Sequence, residues 1–447
     1  MIPARYVIPA RSCNAQSGKG RFRQVNLVCE QSSLHGEVEI PASKSHTIRA
    51  VAVAALAGGS STIRRPLESD DARAAVTAYR ALGADIAVTP DAWRVTGFAG
   101  RPAVPDNVID VGNSGTTMRI ALGSCALLQA GAAVLTGDDQ IRRRSCGPLA
   151  QSLNDLGANV RSTRGTGCAP FVASGRLRGG ETAIDAVTSQ YLSSLLINAP
   201  LADGDSLIQV GVLNERPYVD MTLDWMRRQG IAFEQDEWNA FRVPGGQQYR
   251  PFDGPIPGDW SSATFFLAAG ALGENAVVLH GLDVDDTQGD RAVMDYLRAL
   301  GADVAVEDGA IRVVAGQLEG CELDLNATPD ALPMLAVLGC FARGTTRLVN
   351  VPQARMKETD RIAVMCRELA RMGGNIQELE DGLVIEESPL HGAHVDGHGD
   401  HRVVMALAVA GTAAAGTTTV HGYEAVSITF PGFLDALRRL GGRTHTD

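Results

Sequence analysis

The feature that most constrains the fold is a short pattern that returns six times along the chain. In each copy a helical run ends at a glycine, and a short strand-like segment follows. The six glycines lie roughly 70 residues apart, at Gly83, Gly157, Gly230, Gly301, Gly373 and Gly441. A glycine at this place is typical of the position just after a helix, where a left-handed backbone is needed. The pattern therefore predicts six α/β repeats.

The length of the chain and the number of repeats together predict two domains. A chain of 447 residues exceeds what one hydrophobic core usually supports, and six repeats divide naturally into three plus three. The segment richest in proline and glycine in mid-chain is residues 251–258, which is where a boundary is expected. We therefore expect the first lobe to end at about residue 257.

Composition excludes several classes of protein. The net charge of −11 argues against a general nucleic-acid binder, and no apolar run is long enough to span a membrane. The eight cysteines are scattered without a C-x-x-C pair, which is typical of reduced thiols in a cytoplasmic enzyme. Residues 1–22 lack the apolar core of a signal peptide, so we expect a loose extension there. An acidic protein of this kind can bind anionic metabolites only by concentrating its cations locally.

The densest polar motif has the sequence PASKSHTIR and covers residues 41–49. The alternating run before it predicts a strand, and the apolar run after it predicts a helix. Ser43 or Ser45 could therefore cap a helix whose free N–H groups face an anion. Lys44 is one of only three lysines among 40 lysines and arginines, and Arg49 adds a planar donor. The alternative is a capped helix with a solvated lysine.

Four further polar segments precede or open helices, and a fifth packs three arginines together after a turn. They are residues 112–119, 135–144, 188–190, 328–330 and 353–362. Each has an ordinary explanation when taken alone, as a flexible turn, a solvated charge run or a capped helix start.

A histidine-rich segment near the C-terminus invites a metal interpretation. Its potential ligands are His391, His394, Asp396, His398, Asp400 and His401. The spacing does not place them on one face of a helix, and the glycines between them indicate a turn. We therefore expect no bound metal here.

Taken in order, six motifs resemble the enolpyruvyl transferases. They are PASKSxxxR at 41–49, GNSGTTMR at 112–119, TSQ at 188–190, TPD at 328–330, RMKETDR at 355–361 and GDHR at 399–402. The likeness runs from about residue 36 to the end. It is greater to the branch acting on shikimate 3-phosphate than to the branch acting on UDP-N-acetylglucosamine, which usually has Lys-Asn in place of Lys44-Ser45.

The resemblance implies an α/β fold of two lobes, each built from three βαβαββ units, that close on substrate like a clam. It also implies that the chain crosses between lobes near residues 43–46 and 256–259. The first lobe would then cover residues 46–257. The second would cover residues 258–447 and be completed by residues 23–45.

The reaction implied by the resemblance moves the enolpyruvyl group of phosphoenolpyruvate onto the 5-hydroxyl of shikimate 3-phosphate and releases phosphate. It needs a proton delivered to the methylene carbon, a hydroxyl deprotonated and several negative charges neutralised. By resemblance, Asp330 would be the base toward the acceptor hydroxyl. Glu358 and Lys44 would transfer protons to and from the donor. No metal or organic cofactor is implied.

The resemblance also implies two binding sets. The residues expected to hold phosphoenolpyruvate are Lys44, Arg119, Arg144, Gln190, Arg361 and Arg402. The residues expected to hold the acceptor are Ser45, Arg49, Thr188, Ser189, Gln190, Tyr218, Asp330, Gln353 and Lys357. The implied partners are therefore small anionic molecules, and we expect a monomer that binds neither nucleic acid nor membranes.

Three positions depart from the family pattern. Ile428 stands where a donor-binding lysine is usual, and Glu215 stands where a serine usually meets the acceptor phosphate. Ser145 replaces the proline that usually follows the arginine matching Arg144. Two alternatives to the synthase function therefore stay open. One is a repurposed enzyme with another acceptor, or one that eliminates phosphate from a shikimate-type ring. The other is a catalytically silent binding protein.

Overall fold

The computed structural model describes residues 25–447, so the extension expected over residues 1–22 lies outside the described residues. Within the described part, 24 strands form six sheets of four strands each. Every sheet has one parallel pair at an edge, followed by two antiparallel pairs. The predicted α/β fold of six similar units is confirmed.

The elements are numbered in chain order. The strands of the first half are β1 (Asn26–Glu30), β2 (His35–Glu39), β3 (Gly58–Arg64), β4 (Asp85–Val88), β5 (Ala92–Phe98), β6 (Ile109–Asp110), β7 (Leu127–Thr136), β8 (Asn159–Ser162), β9 (Phe171–Arg176), β10 (Gly180–Ala186), β11 (Ser206–Leu213), β12 (Glu234–Asp236), β13 (Ala240–Val243) and β14 (Asp253–Pro255). Those of the second half are β15 (Ala276–His280), β16 (Asp303–Glu307), β17 (Ala310–Val314), β18 (Glu322–Asp324), β19 (Thr345–Val349), β20 (Asn375–Leu379), β21 (Gly382–Glu386), β22 (His394–Asp396), β23 (Thr417–His421) and β24 (Arg443–Thr446).

Two helices accompany each sheet. The α-helices are α1 (Lys44–Leu56), α2 (Asp70–Ala81), α3 (Gly115–Cys125), α4 (Gly147–Asp155), α5 (Ser189–Asn198), α6 (Arg216–Arg228), α7 (Trp260–Gly270), α8 (Val293–Ala299), α9 (Leu332–Phe341), α10 (Arg361–Arg371), α11 (His401–Ala413) and α12 (Phe433–Arg439). Short 3₁₀ helices lie at Ala199–Leu201, Gly289–Ala292, Pro329–Ala331, Pro352–Met356 and Tyr423–Ile428. No helix in residues 25–447 combines the length and the apolar character that crossing a bilayer requires.

The six repeat glycines end their helices as the pattern predicts. Each has a positive φ, between 70° at Gly230 and 103° at Gly83. The residue after each glycine donates its N–H to a carbonyl five residues back, as Ala84 does to Tyr79 at 3.0 Å. This closes the last helical turn and directs the chain into the next strand.

Two strands are exchanged between the halves of the chain. β2 pairs in parallel with β15, although α1 follows β2 directly, and β14 pairs in parallel with β3, although α7 follows β14 directly. The two crossing segments meet at an isolated bridge between Ala42 and Gly258. The Ser43 N–H donates to the Pro257 carbonyl at 2.7 Å. The chain therefore passes twice through one narrow hinge.

Buried residues form two separate apolar cores. One draws on residues 48–256, and the other on residues 27–40 together with residues 260–440. Three helices are buried on almost every face in each core, α1, α3 and α5 in the first and α7, α9 and α11 in the second. Helices that are apolar all round are expected to lie inside a protein. The two cores support the predicted lobes at 46–257 and at 258–447 with 23–45, whose boundaries remain a prediction.

Candidate active site

Polar residues collect where the inner helices begin. Lys44 is the first residue of α1 and Ser189 the first of α5, while Arg402 is the second of α11. A helix start carries partial positive charge and free N–H groups, so several of them together suit anionic ligands. A cavity of about 580 Å³ lies beside the start of α5 and is lined from both lobes, among others by Thr188, Arg144 and Lys357, whereas Lys44, Arg361 and Arg402 are not part of its lining.

Arg361 connects three carboxylates at the start of α10. Its Nη1 lies 2.6 Å from Asp330, its Nη2 2.7 Å from Glu358 and its Nε 2.8 Å from Asp400. The arginine side chain is only 1% exposed. Arg402 adds a second cation 2.9 Å from Asp330. The two carboxylates expected to handle protons are thus joined by one buried guanidinium.

These cations control the ionisation of both carboxylates. Burial raises the pKa of Asp330, but the charges of Arg402 and Arg361 outweigh it and hold that pKa well below its usual value. Burial likewise raises the pKa of Glu358, and the charges of Arg144 and Arg361 lower it well below its usual value. Both groups are therefore ionised at neutral pH when the site holds no ligand.

Two further arginines lie together over the start of α3. A Cβ atom on Gly115 would lie 2.5 Å from Nη1 of Arg119 and 2.9 Å from Nη1 of Arg144, so a larger residue there would displace the ends of these two side chains. Arg119 donates to Gln190 at 3.0 Å, and Arg144 lies 3.3 Å from Glu358. The Nε atom of each arginine is buried without a partner. Buried N–H donors without a protein partner are available to form charge-assisted hydrogen bonds with an anionic ligand.

Lys44 lies at the capped start of α1. The Ser43 hydroxyl accepts from the His46 N–H at 3.4 Å and fixes the first turn. The Lys44 ammonium is 3.4 Å from Asp71, and its side chain is 13% exposed. Burial raises the pKa of Asp71, and the Lys44 charge opposes that rise.

Two of the residues expected to bind the acceptor, Arg49 and Gln353, have separate hydrogen-bond partners. Arg49 donates to the carbonyls of Ser45 at 3.2 Å and Tyr218 at 2.9 Å. Burial lowers the pKa of Arg49 to about 10, which still leaves a cation at neutral pH. Gln353 donates to the Asn326 carbonyl at 2.9 Å and keeps its own buried Oε1 without a partner.

Three other acceptor-side residues, Thr188, Ser189 and Lys357, surround Glu215. One carboxylate oxygen accepts from the Ser189 hydroxyl at 2.7 Å, the Ser189 N–H at 3.1 Å and the Thr188 hydroxyl at 3.2 Å. The other oxygen pairs with the Lys357 ammonium. Burial raises the pKa of Glu215, but the Lys357 ammonium outweighs it and lowers the pKa below its usual value.

Comparisons with known proteins agree with this geometry. Residues 28–437 match the family model described as EPSP synthase (3-phosphoshikimate 1-carboxyvinyltransferase). The chain belongs to that family. The 3-phosphoshikimate 1-carboxyvinyltransferase of Acetivibrio thermocellus is 53% identical, over 94% of this chain and 99% of its own length. The 3-phosphoshikimate 1-carboxyvinyltransferase of Ruminiclostridium cellulolyticum is 50% identical, over 93% of this chain and 99% of its own length. The solved EPSP synthase of Acinetobacter baumannii is 27% identical, with a TM-score of 0.81 over 95% of this chain and all of its own.

Two of the departures from the EPSP synthase family pattern, Ile428 and Ser145, make contacts that the structure describes. Ile428 ends a 3₁₀ helix and is partly buried against the apolar core of the second lobe. The hydroxyl of its neighbour Ser427 reaches across to Asp70 of α2 at 2.5 Å. Ser145 lines the cavity, and its carbonyl accepts from the Tyr191 hydroxyl at 2.6 Å.

Sequence reasoning missed Asp290, which lies in the 3₁₀ helix before α8. Its Oδ2 accepts from the Ser261 hydroxyl at 2.6 Å and the Tyr218 hydroxyl at 2.8 Å, whereas its Oδ1 is buried without a partner. Burial, together with the nearby charge of Asp330, raises the pKa of Asp290 to about 6. No local motif marks this aspartate, because its partners come from two other parts of the chain.

The raised pKa of Asp290 predicts a pH-dependent stability. A carboxyl whose pKa rises on folding from 3.8 to about 6 stabilises the protein fully below about pH 4. That contribution is lost as the pH rises through 6. The free energy of unfolding of Asp290→Asn, whose side chain stays neutral, should therefore rise relative to that of the natural chain by up to about 3 kcal/mol between pH 4 and pH 7. Urea unfolding at both pH values measures this, and the free energy of unfolding of the control variant Asp295→Asn, at an exposed position, should stay within ~0.5 kcal/mol of the natural value at either pH. The prediction is contradicted if the difference in free energy of unfolding between the natural chain and Asp290→Asn is the same at both pH values.

The histidines of the C-terminal segment have separate surroundings. His394 is exposed and stacks on His421, and His398 lies 2.9 Å from the buried carboxylate of Glu368. Burial lowers the pKa of His401 to about 3, so its ring is neutral inside α11. Among residues 25–447 no group of three or more His, Cys, Asp or Glu side chains is arranged to hold a metal ion.

Proposed function

We propose that this chain transfers the enolpyruvyl group of phosphoenolpyruvate to the 5-hydroxyl of shikimate 3-phosphate and releases phosphate, as a step in aromatic amino-acid biosynthesis. The observation that carries the proposal is the joining of Asp330 and Glu358 by Arg361, beside the paired guanidiniums of Arg119 and Arg144. Such an arrangement combines two proton-transfer groups with an anion-binding site. Membership of the EPSP synthase family supports the same reaction.

The proposed steps assign each proton and bond. The acceptor oxygen bonds to C2 of phosphoenolpyruvate while its proton passes to Asp330, and Glu358 or Lys44 delivers a proton to C3. The C2–O bond to phosphate then breaks and releases phosphate, while the group that protonated C3, Glu358 or Lys44, takes a proton back from C3, which restores the double bond on the product. The donor phosphate and carboxylate would lie against Lys44, Arg119, Arg144, Gln190, Arg361 and Arg402.

Ligand charge would tune the proton-transfer groups. In the empty site the nearby arginines hold the pKa of Glu358 well below its usual value, so it carries no proton to give. An anionic donor on Arg144 and Arg361 offsets those cations, which raises the pKa of a neighbouring carboxyl. Donor binding would thereby bring Glu358 closer to the protonated form that the first step needs.

The deciding experiment mixes the chain with shikimate 3-phosphate and phosphoenolpyruvate and follows phosphate release and the enolpyruvyl product. Both should appear in equal amounts, and neither should appear when either substrate is omitted. Unphosphorylated shikimate serves as the comparison acceptor. Turnover with shikimate alone would support a repurposed acceptor, an alternative that Glu215 favours because it places a carboxylate where the acceptor phosphate is expected.

We also infer a monomer that works in the cytoplasm. The seven cysteines of the described part are free thiols, as is usual in a reducing compartment. Elution from a sizing column at the mass of two chains would contradict the first inference.

A further inference from the structure

Glu215 is held by the groups that are expected to hold the acceptor. Its carboxylate accepts from the Ser189 N–H, the Ser189 hydroxyl and the Thr188 hydroxyl, and it pairs with the Lys357 ammonium. These four donors include a helix N-terminal N–H and a lysine, which is the usual composition of a phosphate subsite. The carboxylate therefore occupies an anion subsite from within the protein.

The backbone holds Glu215 in this place. The residue has a φ of +59°, in the left-handed region, and precedes α6 at its N-cap. Its side chain is 2% exposed. A non-glycine residue with this backbone is uncommon and costs free energy, so the surrounding contacts must stabilise it. The four donors supply that stabilisation.

The Glu215–Lys357 pair also joins the two lobes. Glu215 lies between β11 and α6 of the first lobe, whereas Lys357 lies before α10 of the second. A cleft lined by cations from both sides would repel itself until anions enter. Here one of the balancing anions belongs to the protein.

On the basis of the proposed function, we propose that Glu215 determines acceptor specificity by filling the acceptor-phosphate subsite with its own carboxylate. A phosphorylated acceptor then binds only by displacing Glu215 from Lys357 and Ser189. With Glu215 in place, the charges of Glu215 and Lys357 cancel, so the subsite offers a dianion little net attraction. An acceptor with a hydroxyl in place of the phosphate meets no such competition.

The test is a direct binding measurement, by calorimetry, of shikimate 3-phosphate and of unphosphorylated shikimate. The variants are Glu215→Gln, which keeps the shape and removes the charge, and Glu215→Ser, which empties the subsite. Both should bind shikimate 3-phosphate about tenfold to hundredfold more tightly, which is the scale of one charge-assisted hydrogen bond. Binding of unphosphorylated shikimate should change less than about threefold.

Glu237→Gln is the matched control. Glu237 also has a left-handed backbone, with a φ of +47°, but it is exposed on the turn between β12 and β13. Its replacement should leave both affinities unchanged. A second comparison uses the double variant Glu215→Gln, Lys357→Met, which should lose the gain because the subsite then has no free ammonium.

Two results would overturn the proposal. One is unchanged or weaker binding of shikimate 3-phosphate in Glu215→Gln, which would mean that the carboxylate organises the subsite. The other is an equal gain for shikimate and shikimate 3-phosphate, which would mean a general loosening of the cleft. Far-UV circular dichroism shows whether Glu215→Gln is folded. If it is not, Glu215→Ser is tested in its place, with inorganic phosphate as the probe instead of the acceptor. Because these measurements need no turnover, failure of the proposed reaction and failure of this inference are distinguishable.

Discussion

Glu358→Gln should lower the turnover number at least ~100-fold, the usual scale for loss of a general acid or base. Glutamine keeps the size of the side chain and can still accept from Arg361 and Arg144, which lie 2.7 Å and 3.3 Å away in the natural chain. It cannot deliver a proton to the methylene carbon. Lys44→Ala should have an effect of the same size, because it removes the only lysine at the start of α1.

The measurement is steady-state release of phosphate with both substrates saturating. His394→Ala is the control, since His394 is exposed on β22 and its ring stacks on His421 of the paired strand β23. It should retain nearly full activity. Substantial turnover in Glu358→Gln would exclude this carboxyl as the proton donor, and a large loss in His394→Ala would revive the metal interpretation.

Arg361→Met should reduce the free energy of unfolding by about 3–5 kcal/mol, which is typical when one partner of a buried ion pair is removed. The substitution leaves Asp330, Glu358 and Asp400 without their shared cation. Urea unfolding at pH 7 gives the value. Arg298→Met removes an exposed pair with Asp295 and should cost less than ~1 kcal/mol.

The loss of unfolding free energy in Arg361→Met should also depend on pH, and the direction of that dependence can be predicted. The pKa values of Asp330 and Glu358 are lowered in the folded protein, so both groups stabilise it above their ordinary pKa near 4. That stabilisation disappears as the pH falls through the lowered values. The difference between the natural chain and Arg361→Met should therefore narrow on acidification. If the difference in free energy of unfolding stays constant down to pH 3, the destabilisation comes from lost packing and not from the lost ion pairs.

Much of the fold could be predicted because its signals are local. The six glycines predict helix ends that need a positive φ, and all six have one. The exchange of β14 could not be recognised from the residues alone. That strand is only three residues long, Asp253 to Pro255, and contains a glycine and a proline, both of which disfavour a strand assignment.

The residues of the candidate site also fall into those with a local sequence signal and those without one. Lys44 and Arg119 lie in polar motifs at helix starts, which are visible in the sequence. Asp290 and Asp71 lie in unremarkable segments, and their importance comes from distant partners, Tyr218 for the former and Lys44 for the latter. Glu215 was recognised as a departure, but its four donors come from two loops and two lobes, so no local pattern predicts that they meet on its carboxylate.

The place of β1 in its sheet has a consequence for how the protein is made. β1 lies between β23 and β24, and Asn26 bonds to His421, which lies 395 residues later in the chain. A ribosome therefore releases β1 and β2 long before it has synthesised the strands that pair with them. The first lobe can close once β14 has emerged, since that strand completes its last sheet. The second lobe must wait for the final residues, and until then β1 exposes two unpaired edges, which are open to association with other chains. Chains stopped short of β24 should accordingly fail through aggregation of the second lobe while the first is already folded.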